Sequence, residues 1–216
     1  VVYDSTSTGD NITNNPDISG SSQGAIYFIG LPTDVIIQSN ELDGEIGVYS
    51  SNTMTDSLID SNGISGGIYG LNLGSSSGST YSSNNLISEE DTIRIGGSSG
   101  NTFSGNTIQS TAGSGIVFNT ASSNNVINGS NTIDAGTVTC DDTYYYCSGI
   151  VYADTSEDDV IDGNVISALQ SGAMDIWVAS TATNLNLTNQ IITNYNITGN
   201  SNINFINSTW GTIKLI

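Results

Sequence analysis

Histidine is absent from this chain, and the only cations among its side chains are Arg94 and Lys214. Against them stand 21 Asp and Glu, so the formal charge of the 216-residue protein is −19. Binding DNA or RNA needs a cationic surface that displaces counterions from phosphates, and two positive groups cannot make one. A nucleic-acid partner is therefore excluded. Long apolar runs are missing too: no stretch approaches the roughly 18 consecutive apolar residues of a membrane-spanning helix, so no membrane span is expected. Nor does any stretch carry an apolar stripe at helical period, and Ala and Lys are scarce, so almost no helix is expected.

Cysteine occurs twice. Cys140 and Cys147 bracket Asp141, Asp142, Thr143, Tyr144, Tyr145 and Tyr146. A thiolate metal site would call for further sulfur ligands or a nearby histidine. The pair reads as a disulfide closing a small loop, which implies an oxidising compartment, with two free thiols as the alternative. Val1 in place of an initiator Met points to a processed chain. Asn-x-Ser/Thr sequons at Asn11, Asn128, Asn186, Asn196 and Asn207 are N-glycosylation candidates, although a chain so rich in Asn, Ser and Thr produces some by chance. The expected location is extracellular or at the cell surface.

What the chain does contain is small and amide-bearing: Ser, Thr, Asn and Gly make up 108 of 216 residues. That bias alone would favour disorder. Yet 49 Ile, Val and Leu are spread evenly along it, enough for a long thin core. They recur with a period. Asn is followed two places later by Leu or Ile at Asn40/Leu42, Asn62/Ile64, Asn85/Ile87, Asn106/Ile108, Asn131/Ile133 and Asn164/Ile166, and Gln190/Ile192 closes the series. The intervals between these apolar positions are 22, 23, 21, 25, 33 and 26 residues, and the long one contains the Cys140 to Cys147 segment. Periods of this length mark solenoids.

Each unit opens with a short alternating run such as Gly115-Ile116-Val117-Phe118 or Asp175-Ile176-Trp177-Val178. A Ser/Asn turn and a second short run follow, then the Asn-x-Ile element. Three short strands per unit make one coil. Coils stacking about 4.8 Å apart would give a rod of about eight coils roughly 40 Å tall, with inward ladders of Ile, Val and Leu. Asn at a turn tolerates the left-handed region and can exchange amide hydrogen bonds with the Asn of the next coil. The predicted organisation is a polar first segment or irregular first coil over 1–20, repeats over 21–192 with an insertion at 134–148, and a last coil and strand over 193–216.

Repeats such as Gly115-Ile116-Val117, Ser122-Ser123-Asn124-Asn125-Val126-Ile127 and Asn131-Thr132-Ile133 resemble the right-handed parallel β-helix of the pectate-lyase-like superfamily. In style they are similar to its carbohydrate-binding and sugar-hydrolysis repeats, found in secreted bacterial and archaeal surface proteins. The resemblance covers residues 18 to 192 and implies an all-β, single-domain right-handed parallel β-helix solenoid of about eight coils. It says little of activity, because the repeated residues are scaffold. Lyases of the superfamily use an Arg or Lys base beside calcium-binding carboxylates, but Arg94 lies in a strand facing outward and Lys214 sits near the end of the chain. Hydrolases use clustered carboxylates. The clusters here, Glu89-Glu90-Asp91, Asp141-Asp142 and Glu157-Asp158-Asp159, read as solvated turns, and an acidic surface repels anionic pectin-like substrates. The chain is not expected to be an enzyme.

Three weaker readings follow from the same residues. Carboxylates are hard-oxygen ligands that suit calcium, so Glu89, Glu90, Asp91, Asp141 and Asp142, which the register puts on one edge about two coils apart, are calcium candidates; otherwise no cofactor is expected. Tyr144, Tyr145, Tyr146, Trp177 and Trp210 are candidates for stacking on a glycan, against the plainer reading that they pack the loop and core. The apolar strand carrying Ile213, Leu215 and Ile216 is an edge for end-to-end stacking or strand addition, giving a homo-oligomer or polymer. The leading functional reading is a self-assembling structural subunit of the cell surface, as filament, sheath or surface layer. A non-catalytic adhesin or carbohydrate-binding module is the alternative.

Overall fold

The computed structural model describes residues 2–3, 8–20, 23–136, 147–168, 173–197 and 201–215. Among these there is no α-helix: the structure is a parallel β-solenoid of about eight turns, built from a nine-stranded sheet and an eighteen-stranded sheet that bends around the rest of each coil. The strands of the nine-stranded sheet number the coils. They are Asn11–Thr13, Ile36–Gln38, Leu58–Asp60, Thr80–Ser82, Thr102–Ser104, Val126–Asn128, Val160–Asp162, Leu185–Thr188 and Ile203–Ile206. Residues 11–19 already contribute two strands to the first coil. The period of 22 to 26 residues is thus the circumference of one coil.

Register turns the repeat into columns. The central residue of each nine-stranded-sheet strand points inward, giving the column Ile12, Ile37, Ile59, Tyr81, Phe103, Ile127, Ile161, Leu187 and Phe205. A second column runs through Ile18, Leu42, Ile64, Leu86, Ile108, Ile133 and Ile166. Leu86, not Ile87, occupies the fourth position of that column, and Ile87 is exposed. The expected position was off by one residue. Two adjacent apolar residues leave the face undecided, whereas the Asn preceding the strand decides it: Asn84, two residues before Leu86, is the Asn that stacks. The intervals from Leu42 to Ile108 then become a uniform 22 residues.

Two polar ladders lock the coils together. In the first, Asn15, Asn40, Asn62, Asn84, Asn106, Asn131 and Asn164 stack one per coil. From Asn15 to Asn131, each backbone N–H and each side-chain amide donates to the carboxamide oxygen of the next coil, as from Asn62 N and Nδ2 to Asn84 Oδ1, both 3.0 Å. The same Nδ2 group also donates to the preceding coil, where Asn84 reaches the Ile59 carbonyl at 2.8 Å. These amides are buried from Asn40 onward. The second ladder runs Ser57, Ser79, Asn101, Asn125 and Asp159, again from backbone N–H to the next side-chain oxygen. Residues just before both ladders hold positive φ, for example Ser39, Ser61 and Ser83, which is how the chain turns the corner into each strand. Crowding also dictates glycine at one bend: a Cβ on Gly115 would run into Ile133 and the Gly149 carbonyl, and one on Gly149 into Ile166 and the Asp175 carbonyl.

Asn84→Ala removes a buried side chain that accepts two hydrogen bonds and donates two. Each is worth about 1 kcal/mol net, and the stranded Asn62 N–H adds its own desolvation cost. The variant is expected to lose at least about 4 kcal/mol in urea unfolding. A surface change on the same coil, Asn85→Ala, should cost less than about 0.5 kcal/mol.

Candidate functional site

The acidic clusters resolve into different roles. Glu89 and Glu90 are exposed on the edge that leads into the fifth coil, whereas Asp91 is buried and its Oδ1 accepts the Ser114 N–H at 3.1 Å. Asp91 is therefore a turn-forming group facing the next coil. Asp141 and Asp142 lie outside the described residues, as do Cys140, Tyr144, Tyr145, Tyr146 and Ile216. The insertion that carries them leaves from the same edge two coils on. Among the described residues no cluster of three or more His, Cys, Asp or Glu is placed to hold a metal ion.

Glu157 and Asp158 are exposed, but Asp159 is fully buried as a rung of the second ladder. Its Oδ1 accepts the Asn125 N–H (2.7 Å) and Nδ2 (2.9 Å), and its Oδ2 accepts Ser122 Oγ (2.7 Å). Leu185 takes the next rung, so nothing continues the polar ladder past Asp159. Burial pushes the Asp159 carboxyl up, and the nearby Asp158 charge pushes the same way; the bonds from Ser122 and Asn125 only partly oppose this. The group is a structural acid out of reach of a substrate.

Cys147 is buried, with Sγ 3.1 Å from the Ala112 carbonyl oxygen of the preceding coil. It anchors the near end of the insertion.

An outward strip on the larger sheet was not legible from sequence. One residue per coil belongs to it, in the order Tyr27, Tyr49, Asn72, Arg94, Val117, Val151 and Trp177, of which Val117 and Val151 are fully buried. Tyr27 and Tyr49 are half-buried and stacked at 4.9 Å. Arg94 Nη1 donates to the Tyr69 hydroxyl at 2.8 Å, and its guanidinium lies 5.5 Å from that ring's centre. With its carboxamide oxygen turned toward the guanidinium, Asn119 accepts from Arg94 Nη2 at 3.0 Å and from Nε. Arg94 faces outward as expected, yet it is fixed by neighbours. Trp177 is half-buried in this column.

The end coils differ from the middle ones. In the last, Phe205 is half-buried and packs against Trp210, with ring centres 4.8 Å apart and Trp210 51 % exposed. The strand Thr209–Leu215, which carries Ile213 and Leu215, pairs with Ile191–Ile197. At the first coil, an open cavity of about 610 Å³ is lined, among the described residues, by that coil, including Ile12, Asn15, Asp17, Ile18 and Ser19. The sequons are dispersed. Asn11 is exposed, Asn128 and Asn186 are half-buried on the nine-stranded sheet, Asn207 is exposed just beyond it, and Asn196 lies in a strand of the larger sheet.

The family described as "Periplasmic copper-binding protein (NosD)" matches residues 3–215. The chain belongs to the NosD family. That family and the solenoid agree with a right-handed parallel β-helix, and the periplasmic description agrees with a location in the cell envelope or outside the cell. No curated protein matches this NosD-family chain.

The pH dependence of Asp159 follows from its raised pKa. Its protonated form contributes stability in full below the ordinary carboxyl value of 3.8, and that contribution is lost as pH rises through the higher pKa of the fold. Asp159→Asn keeps the ladder and abolishes the charge. The variant is expected to match the parent near pH 3 and to exceed it in thermal midpoint at pH 7; equal midpoints at both pH values would contradict this assignment.

Proposed function

We propose that this NosD-family protein is a non-catalytic structural subunit of the cell envelope that assembles with copies of itself, as filament, sheath or surface layer. The observation that supports this reading is that the buried polar side chains are spent on coil-to-coil ladders. A solenoid coil stacks on the next by the same contacts whether the neighbour belongs to the same chain or to another.

Copper, named in the family's description, does not fit the donors of this chain. Copper sites draw on imidazole, thiolate or thioether ligands. Here histidine is absent, Met54 is fully buried in the third coil, Met174 lies on the eighth, and Cys147 is buried against a carbonyl. The Cys140–Cys147 disulfide that we infer removes both thiolates from competition. Calcium suits the chain better: Glu89 and Glu90 are exposed, and the sequence adds Asp141 and Asp142 between Gly136 and Cys147. At −19 per copy, self-association also needs charge screening, which a divalent cation supplies.

A second reading, a carbohydrate-binding module, is favoured by the half-buried Tyr27–Tyr49 stack and the adjoining Tyr69–Arg94–Asn119 group, which form a strip of aromatic and hydrogen-bonding side chains along one face.

Electron microscopy of the purified protein in calcium and in chelator tests the primary reading. Ordered fibres, tubes or sheets are expected, thinning or dissolving in chelator. Single short rods in both conditions would overturn it. Copper added in excess and then dialysed away should leave no stoichiometric metal, and mass spectrometry without reductant should find the chain two hydrogens lighter than with reductant.

A further inference from the structure

We propose that the Asn128–Gly129 corner of the sixth coil is a covalent modification site. There the Asn128 side chain converts spontaneously to a mixture of aspartate and isoaspartate, while the ladder keeps the same dipeptide at Asn62–Gly63 inert. Asn-Gly occurs in the chain at these two places alone. The dipeptide suits this chemistry because a following glycine leaves the attacking backbone nitrogen sterically open. The nitrogen of Gly129 adds to Asn128 Cγ and closes a five-membered imide. The Cγ–Nδ2 bond breaks, and Nδ2 leaves as ammonia with the proton that the Gly129 nitrogen gives up. Water then opens the ring at either carbonyl. Opening at Cγ leaves an aspartate; opening at the backbone carbonyl routes the main chain through Cβ and Cγ as isoaspartate.

One inserted residue sets the two sites apart. In the neighbouring coils the first-ladder Asn follows the second-ladder residue by five positions, as Asn106 follows Asn101 and Asn164 follows Asp159, whereas Asn131 follows Asn125 by six. The extra residue widens the corner, where Gly129 and Ser130 both hold positive φ, at 68° and 67°. Pairing with the seventh coil ends early as well: Val126 and Ile127 pair with Val160 and Ile161, but Asn128 does not pair with Asp162. On either side the corner N–H donates to a carbonyl of the next coil, from Ser61 to Ser82 and from Gly105 to Gly129 at 3.0 Å, and from Gly163 to Thr188 at 3.1 Å. Among the described residues neither the Gly129 nor the Ser130 N–H makes such a bond, and the Asn128 carboxamide makes none. Nucleophile and electrophile are thus both unpinned, on a half-buried Asn128 beside an exposed Gly129. Asn62 is the opposite case. It is 2 % exposed, its Nδ2 donates to the Ile37 carbonyl (2.9 Å) and to Asn84 Oδ1 (3.0 Å), and the Gly63 N–H donates to the Asn40 carbonyl at 2.9 Å. Reaction there requires the coil to open first. The change at Asn128 reaches the ladder, because the Asn128 carbonyl accepts Asn131 Nδ2 at 2.7 Å. In isoaspartate that carbonyl becomes a free carboxylate beside the ladder.

Cleavage by trypsin after Arg94 and Lys214 separates the two sites, with Asn62 in residues 1–94 and Asn128 in residues 95–214. The folded protein is aged at mildly alkaline pH, then unfolded, cleaved and weighed by mass spectrometry, with isoaspartate counted by enzymatic methylation. Fragment 95–214 is expected to change at least about tenfold faster than fragment 1–94, since only Asn62 must wait for an opening. Aged in urea, the two should agree within about threefold, because unfolding frees both. Asn128→Gln lengthens the side chain so that the five-membered ring cannot close, and should abolish the fast change with the parent circular dichroism. Deleting Ser130 restores the five-residue spacing and returns the Gly129 N–H to the Asp162 carbonyl, so the change should slow at least about tenfold. If the deletion does not fold, Asn128→Gln and the urea comparison still decide. Equal rates in the two folded fragments, or the same tenfold excess in urea, would overturn the proposal. So would a fast change that survives Asn128→Gln, a folded deletion variant that reacts like the parent, or a glycan on Asn128 in place of the change.

Discussion

The stacked Asn carboxamides are the interaction on which the rest of this molecule depends. A narrow solenoid with half its residues small or amide-bearing has little apolar area per coil, so the polar groups at its corners must be satisfied without help from water. Asn meets this requirement because one side chain carries both a donor and an acceptor. Its oxygen takes the backbone N–H and amide of one neighbour while its nitrogen serves the other, as for Asn84 between Asn62 and Asn106. The geometry closes only if each Asn sits at the same angular position, which fixes the coil circumference and with it the inward alignment of every Ile, Leu and Phe column.

That constraint explains which parts of the fold are legible in the sequence. The Asn-x-Ile series can be read directly because the ladder admits few substitutes and cannot drift. Confusion enters at Asn84-Asn85-Leu86-Ile87, where doubled Asn and doubled apolar residues offer two registers one residue apart. The second ladder is harder to see, since Ser57, Ser79, Asn101, Asn125 and Asp159 share only a side-chain oxygen acceptor. Asp159 accordingly looks like part of an exposed acidic run until its burial is known. Outward columns have no periodic signature at all. Tyr27 and Tyr49 are 22 residues apart like any other equivalent pair, and nothing in their local sequence says that their rings stack. The same holds for Arg94, whose partners Tyr69 and Asn119 each lie 25 residues away, on neighbouring coils.

Function in such a molecule is decided at surfaces that the repeat does not specify. Charge is one of them: with 21 acidic groups and two basic ones, copies repel at long range, so any association is conditional on screening and on contacts specific enough to overcome it. The outermost described coils are the other. The first coil lines an open cavity, and in the last the half-buried Phe205 packs on Trp210, which is 51 % exposed. The NosD description speaks of copper, whereas this chain has no histidine and buries Met54 and Cys147, so the shared solenoid does not by itself carry that chemistry.

Residue-resolved native-state hydrogen exchange tests the central claim most directly. The backbone N–H groups of Asn40, Asn62, Asn84 and Asn106 each donate to the carboxamide oxygen of the next rung. They should be among the slowest-exchanging amides of the chain, opening together only with global unfolding. Exchange of these amides at the rate of exposed turn amides that make no hydrogen bond, while the strands stay protected, would show that the inward columns alone hold the coils and would contradict the account.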